Sequence, residues 1–134
     1  ENGKLILADR YATSNLIYQT EKVDESKWDE YIEWSEDFEY NKIGIPRPDL
    51  VIFLDMPVEI SQKLMTSRYN GDENKKDVHE ANVAFLNACR KSALYAAKKQ
   101  GWAIVECSDG KNPLPIDVIH NKIIQIVEKE LNNA

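Results

Sequence analysis

The spacing of apolar residues along the chain predicts an α/β domain. Three short apolar runs occur, at Lys4 to Ala8, Leu50 to Leu54 and Trp102 to Glu106. Runs of this length without polar alternation are typical of parallel strands that are buried on both faces. Segments with helical periodicity separate the runs, so the sequence predicts a parallel sheet of about three strands with flanking helices.

The helical segments begin and end at recognisable signals. Ser26 to Asp29 has the spacing of a capping box, and the helix after it carries carboxylates on its outer face. Gly101 is suited to the left-handed cap of a long helix. Residues expected on buried helical faces include Phe85, Ile116 and Leu131. The predicted helices run from about Tyr11 to Thr20, from Ser26 to about Phe38, from Pro57 to about Ser67, from Asp77 to Gln100 and from Pro113 onward, with an exposed loop between Arg68 and Asp77.

Composition and charge exclude several classes of function. The net charge is −6, and residues 21–40 alone hold nine acidic and two basic side chains. No stripe of lysine and arginine is present, which disfavours a nucleic acid polymer as partner. No apolar run approaches the ~20 residues of a membrane span, and no secretory leader is visible, so a cytoplasmic protein with reduced Cys89 and Cys107 is expected. The start at Glu1 rather than Met is interpreted as a processed or excised chain.

A polar cluster follows the first apolar run directly. In open parallel sheets, ligands bind beyond the carboxyl ends of the strands, so this cluster is a candidate ligand site. Arg10 offers a planar fork of donors suited to phosphate, and Asp9 can orient that fork or hold a hydrated Mg²⁺. On the following helix, Ser14, Asn15 and Tyr18 are three and four residues apart and share nearly one edge. Spacing alone equally allows a salt bridge from Arg10 to the acidic helix and a core position for Tyr18.

Four segments resemble the thymidylate kinase family of P-loop nucleoside monophosphate kinases. DRYATSNLIYQ is similar to the family's DR(Y/H)xxSxxAY segment, and IGIPRPDLVIFLD to its PxPDL strand entry. RYNGDENKKDVHE has the position of the lid, and CSDGKNPLPIDVIHNKI resembles the C-terminal strand-to-helix turn. The resemblance implies the Rossmann-like P-loop kinase fold, with strands ordered 2-3-1-4-5, and transfer of the γ-phosphoryl of ATP to thymidine monophosphate.

For the acceptor nucleotide, the resemblance implies roles for one segment. Arg10 corresponds to the arginine that clamps the phosphate of thymidine monophosphate. Asp9 lies near that phosphate and near the Mg²⁺ of ATP, which it would contact through water. Asn15 stands where an amide meets thymine in some members, and Tyr18 packs by the deoxyribose. The implied substrate-binding residues are Arg10, Ser14, Asn15, Tyr18 and Gln19, with Asp9, Arg10 and Arg68 as catalytic residues.

The resemblance also assigns a lid and an ATP side. The lid covers about residues 68–80; Arg68 would stabilise the transferring phosphoryl, with Lys75 and Lys76 as weaker candidates. Many bacterial lids end in DRxE, whereas this chain has Asp77-Val78-His79-Glu80. His79 either faces the acceptor site or, as is more common for a lone histidine in a lid, is solvated. Residues near the adenine of ATP would be Ser108, Asp109, Gly110 and Lys111.

The donor-phosphate loop of the family has no counterpart among these residues. No GxxxxGK[ST] motif occurs in the 134 residues, although that loop cradles the phosphates of ATP. Residues 1–134 are therefore interpreted as the C-terminal part of one kinase domain, inactive alone. The resemblance also implies a homodimer packed through helices, to which the helix around Trp28 and Trp34 would contribute. Two alternatives stay open: another nucleoside or nucleotide kinase of this fold, and a catalytically silent nucleotide-binding or assembly module.

Overall fold

The structure is a computed structural model that describes residues 3–68 and 76–133. Its described part is a mixed α/β fold with five α-helices and two strands. Two 3-10 turns, Thr20–Lys22 and Glu25–Lys27, precede the second helix, which continues as a π-helix over Asp37–Ile43 and ends at left-handed Gly44. The elements are α1 (Thr13–Tyr18), α2 (Trp28–Glu36), β1 (Ile52–Asp55), α3 (Val58–Arg68), α4 (Lys76–Gln100), β2 (Ala103–Glu106) and α5 (Ile116–Asn132).

The two strands form a parallel pair. Ile52 lies opposite Ala103 and Asp55 opposite Glu106. Backbone hydrogen bonds extend the pair at both ends, since the Ala103 amide donates to the Val51 carbonyl at 2.9 Å and the Cys107 amide to the Asp55 carbonyl at 2.8 Å. The prediction of an α/β fold with a parallel sheet is confirmed, and the second and third apolar runs are its strands.

The prediction of a buried strand at Lys4 to Ala8 is wrong. This segment has no strand conformation, and the side chains of Leu5, Ile6 and Leu7 are 69%, 87% and 92% exposed. Within the described residues, none of its backbone groups hydrogen-bonds to another segment. An apolar run becomes a strand only where a neighbouring strand takes up its N–H and C=O groups, and the described residues supply no such neighbour here.

The core lies between α1, α2 and α4. Leu16, Ile32 and Ala96 are buried against one another, with Trp102 packed beside them. The Ser92 hydroxyl, fully buried, donates to the Ile17 carbonyl at 2.7 Å and so ties α4 to α1. These contacts fix the position of α1, the helix that carries the predicted acceptor residues.

Two carboxylates on the acidic face of α2 pair with side chains of α4. Lys99 of α4 lies 3.2 Å from an Asp29 carboxylate oxygen and 3.3 Å from Glu33. The Tyr95 hydroxyl donates to Asp29, and hydrogen bonds from Tyr95 and Lys99 lower the pKa of that carboxyl. The Asp29 and Glu33 side chains remain 62% and 71% exposed, so the predicted acidic outer face of this helix is confirmed.

Several predicted boundaries and burials need correction. The cap before α2 is Asp24, not Ser26, because the Ser26 amide and hydroxyl both donate to the Asp24 carboxylate at 3.0 Å and 2.6 Å. The first helix is shorter than predicted, and the last begins at Ile116 rather than at Pro113. Three residues expected to be buried are exposed: Phe85 at 42%, Ile116 at 87% and Leu131 at 53%.

The long helix α4 begins and ends close to the predicted positions. It starts at Lys76, so the predicted exposed loop from Arg68 to Asp77 is helical at both ends, and the part between lies outside the described residues. Gly101 has a φ of 71° and the Trp102 amide donates to the Ala97 carbonyl at 2.9 Å. The left-handed glycine cap is confirmed, and it directs the chain from α4 into β2.

Candidate functional site

A cleft of about 190 Å³ opens at the carboxyl end of β1. Parallel strands bring their carboxyl ends to one edge of the sheet, and ligands of open α/β folds bind beyond that edge. Helices α1, α3 and α4 form the other walls. The cleft is lined by Ile17, Tyr18, Phe53, Leu54, Asp55, Met56, Val58, Ser61, Leu86, Cys89, Arg90 and Ala93.

An ion pair between Asp55 and Arg90 lies in the cleft wall. The Nε and Nη2 atoms of Arg90 donate to the two carboxylate oxygens of Asp55 at 2.7 Å and 3.1 Å. The carboxylate is largely buried, with 11% of the side chain exposed, whereas 34% of the Arg90 side chain is exposed. The hydrogen bonds that Arg90 donates to the Asp55 carboxylate raise the pKa of Arg90, so the guanidinium stays charged throughout the physiological range.

The opening DRY segment is held next to Tyr18. The Arg10 guanidinium lies 5.1 Å from the centre of the Tyr18 ring, a cation–π contact. Arg10 has a φ of 72°, the only positive φ of a non-glycine residue in the described part of the chain. The Tyr11 hydroxyl donates to the Pro46 carbonyl at 2.7 Å and anchors this segment to the chain ahead of β1. The structure therefore brings Arg10 and Tyr18 together beside the cleft.

The other acceptor-side residues are more dispersed. Asn15 is exposed and its amide donates to a Glu39 carboxylate oxygen at 3.3 Å, away from the cleft lining. Ser14 is half-buried on α1, and Gln19 is exposed just beyond the end of that helix. Asp9 is exposed in the bend that precedes Arg10. The single helical edge expected for these side chains is thus split between the cleft and the π-helix.

The turn that follows β2 is tightly hydrogen-bonded. The Asp109 carboxylate accepts from the Lys111 amide at 2.9 Å and from the Asn112 amide at 2.7 Å. Gly110 has a φ of 98°, a value that suits glycine, and its amide donates to the Ser108 hydroxyl at 3.3 Å. The two backbone donors lower the pKa of Asp109. The four residues predicted for the ATP side form one compact turn at the same sheet edge as Asp55.

Most of the predicted lid falls outside the residues that the structure describes. Residue Lys75 and the side chains of Arg68, Lys76 and His79 fall outside the described part of the structure. In residues 3–68 and 76–133, no three His, Cys, Asp or Glu side chains converge as a metal cage would require. Among those same residues, no helix has the length and apolarity needed to cross a bilayer. Cys89 and Cys107 are unpaired and buried, and burial raises the pKa of both thiols.

The fold and this site define a parallel α/β domain with a largely apolar cleft, which holds one ion pair, at the carboxyl edge of its sheet. Residues 1–123 match the sequence model of the family described as thymidylate kinase. The chain belongs to the thymidylate kinase family, as its motifs predicted.

Curated relatives agree with this assignment. The chain is 26% identical over 132 residues to probable thymidylate kinase 1 of Saccharolobus solfataricus, covering 98% of this chain and 58% of the relative. It is 30% identical over 131 residues to the probable thymidylate kinase of Thermococcus onnurineus, covering 98% and 55%. The thymidylate kinase of Mycobacterium tuberculosis is 26% identical over 100 residues, covering 73% and 46%. The chain spans about half the length of the curated relatives it matches, and no solved structure matches it significantly.

The sequence interpretation missed Asp55 and Arg90 as site residues. Asp55 follows an apolar run directly, as Asp9 does, so the rule that selected Asp9 also selects Asp55. Arg90 interrupts an apolar helical stripe that includes Leu86 and Ala93, at spacings of four and three residues. A charged residue inside such a stripe is a signal, because it needs a partner when it is partly buried.

Proposed function

We propose that this chain forms the acceptor-nucleotide side of a thymidylate kinase, which transfers the γ-phosphoryl of ATP·Mg²⁺ to thymidine monophosphate. Membership of the family supports the reaction. The observation that carries the proposal is the contact of Arg10 with Tyr18 at the rim of a cleft that the carboxyl edge of the sheet helps to form. Phosphoryl transfer needs little covalent chemistry from the protein, so positioning and charge stabilisation are the expected contributions.

The residues around α1 divide the acceptor between them in this proposal. The Arg10 guanidinium lies over the Tyr18 ring, and among the described residues no hydrogen bond engages its N–H groups, which can therefore bond a phosphate. Tyr18 also lines the cleft, where its ring can pack against the sugar. Asn15 would read the base after releasing Glu39, with Ser14 and Gln19 beside it.

The metal of ATP·Mg²⁺ would be held with little help from this chain. Mg²⁺ keeps several waters and takes one or two carboxylates together with substrate phosphates. The exposed carboxylate of Asp9, next to the proposed phosphate ligand Arg10, fits that limited role through a water molecule. When bound, Mg²⁺ supplies neutralising charge to the phosphates.

The proposal also assigns residues to the ATP side of the site, where the chain lacks one essential motif. Arg68 of the lid would neutralise charge on the transferring phosphoryl, and the turn from Ser108 to Lys111 would lie near the adenine. Because the 134 residues contain no GxxxxGK[ST] motif, we propose that the chain alone binds the acceptor without phosphorylating it. The complete enzyme would act as a homo-oligomer.

Nucleotide titrations of the 134-residue chain test this function. We expect thymidine monophosphate to bind more tightly than uridine or adenosine monophosphate. Arg10→Ala should weaken binding of thymidine monophosphate by about 1.5–3 kcal/mol, the range for hydrogen bonds to charged groups. Arg47→Ala is the matched control, because Arg47 is an exposed arginine that also lies over a tyrosine ring, that of Tyr40, but does not line the cleft. Equal affinities for all three nucleotides, or no effect of Arg10→Ala, would count against the proposal.

A further inference from the structure

Arg90 has unused hydrogen-bonding capacity in the cleft wall. A guanidinium carries five N–H groups. The pair with Asp55 uses the Nε–H and one N–H of Nη2, which leaves both N–H groups of Nη1 and the second of Nη2. In the described part of the chain, no other side chain or carbonyl accepts a hydrogen bond from Arg90.

The two partners of this pair are buried to different degrees. The Asp55 side chain is 11% exposed and the Arg90 side chain 34% exposed, and both line the same cleft. Arg90 is therefore the more accessible member of the pair. Tyr18 lines the same cleft, and its ring centre lies 5.1 Å from the Arg10 guanidinium.

We propose that Arg90 is an anion-binding residue of the cleft, held in place by Asp55, and that its free N–H groups bind the phosphate of a nucleotide. The inference rests on the proposed function only where it names thymidine monophosphate as the nucleotide. Asp55 acts as a positioning residue, since its oxygen acceptors fix the rotation of the guanidinium before a ligand enters, a role that needs an acceptor at this position and no negative charge.

A purely structural role would make different demands on these two residues. A salt bridge at a partly buried site adds little stability over apolar residues of the same shape, so the pair needs another reason than stability. If the pair were purely structural, loss of either member should change ligand affinity in the same direction. If Arg90 binds an anion, loss of Arg90 should lower anion affinity and loss of the Asp55 charge should not, because Asp55 repels the anion that Arg90 attracts.

Titrations of the full 134-residue chain with inorganic phosphate, thymidine monophosphate and thymidine test the assignment. Arg90→Met should weaken binding of both phosphate-bearing ligands by about tenfold or more, the equivalent of one charged hydrogen bond, and leave thymidine unaffected. Arg90→Lys keeps the charge without the fork and should show a smaller loss. Asp55→Asn keeps an oxygen acceptor without the charge and should leave phosphate affinity equal or higher. Arg47→Met is the matched control.

Each outcome of these titrations either supports or contradicts the anion site at Arg90. If Arg90→Met unfolds the chain, the contrast between Arg90→Lys and Asp55→Asn carries the test in folded protein. Equal losses for thymidine and its monophosphate, or the same direction of change in both Arg90→Lys and Asp55→Asn, would overturn the anion site. Arg10-dependent binding of thymidine monophosphate that ignores Arg90 would overturn the anion site and leave the proposed function standing. Arg90-dependent binding of inorganic phosphate without preference for thymidine monophosphate would do the reverse. Binding of neither ligand would overturn both.

Discussion

Two apolar segments of nearly the same composition have different structures in this molecule. Leu5–Ile6–Leu7 is extended and largely exposed, whereas Ile52–Phe53–Leu54 is a strand paired with β2. Both segments precede an aspartate, and both read as strands in the sequence. The difference is the partner, because the turn at Gly101 delivers β2 to one edge of β1, while the described residues deliver nothing to Leu5. A high strand propensity is therefore not enough to form a strand, because the segment also needs a neighbouring strand to pair with.

Amide hydrogen exchange should show the largest contrast between the two segments. The amides of Ala103 and Cys107 donate to β1 and should exchange only by opening that costs several kcal/mol. The amides of Leu5 and Leu7 should exchange at nearly the rate of an unfolded peptide. Strong protection at Leu7 would show that a partner pairs with this segment in solution.

Matched isoleucine truncations should show a smaller contrast, in the free energy of unfolding, between the exposed segment and the helical core. Ile32 is fully buried in the core, and Ile6 is 87% exposed. Ile32→Ala should lower the free energy of unfolding by about 2–5 kcal/mol, the range for large-to-small changes in a packed core. Ile6→Ala should change it by less than about 0.5 kcal/mol. Urea denaturation of the two variants measures both, and a cost at Ile6 near that at Ile32 would place Ile6 in an interface.

Self-association of the chain should depend on the exposed segment. Three adjacent exposed apolar side chains and an unpaired edge of β1 among the described residues favour contact between copies. Burying one such side chain contributes up to about 2 kcal/mol, so Ile6→Lys should shift sizing chromatography toward the monomer. Phe85→Lys is a control at another exposed apolar position. Elution that is unchanged by Ile6→Lys would exclude this segment from the contact.

Low pH should weaken the turn that follows β2, because it protonates Asp109. The folded-state pKa of Asp109 is lowered by backbone donors, so its stabilising effect is present above the ordinary aspartate pKa and is lost as pH falls through the folded value. Below about pH 4, the turn after β2 should loosen before the sheet does. NMR shifts of Lys111 and Asn112 amides would report it, and Asp109→Asn should remove the acid dependence. An unchanged titration at those amides in the variant would contradict this origin.

Most of the fold was predictable, and the larger errors in predicted strands and burial share one cause. Helical periodicity located α2, α3 and α4, and Gly101 located the turn into β2, because these signals act within a few residues. The strand at Lys4 to Ala8 and the burial of Ile116 and Leu131 depended on neighbours distant in sequence, which periodicity does not report. The cap at Asp24 was missed because Ser26 satisfies the same pattern two residues later.

The candidate site was predictable in part. Arg10 and Tyr18 were selected from their place after an apolar run and from a family motif, and the structure brings them together. That their roles are those of phosphate and sugar ligands stays a prediction. Asn15 could not be placed from spacing, since its contact with Glu39 depends on the π-helix that follows α2. Asp55 and Arg90 are 35 residues apart, and only the tertiary fold shows that they pair.

The left-handed backbone of Arg10 sets folding stability against the phosphate-binding role that we propose for its side chain. An L-residue with a side chain loses about 1–2 kcal/mol in that conformation, and glycine does not. Arg10→Gly should therefore raise the melting temperature of the chain while it removes the guanidinium beside Tyr18. A selection for heat resistance alone would discard this arginine, and a selection for nucleotide binding would restore it. Position 10 is thus where an evolutionary trade-off between stability and activity can be measured with a single codon.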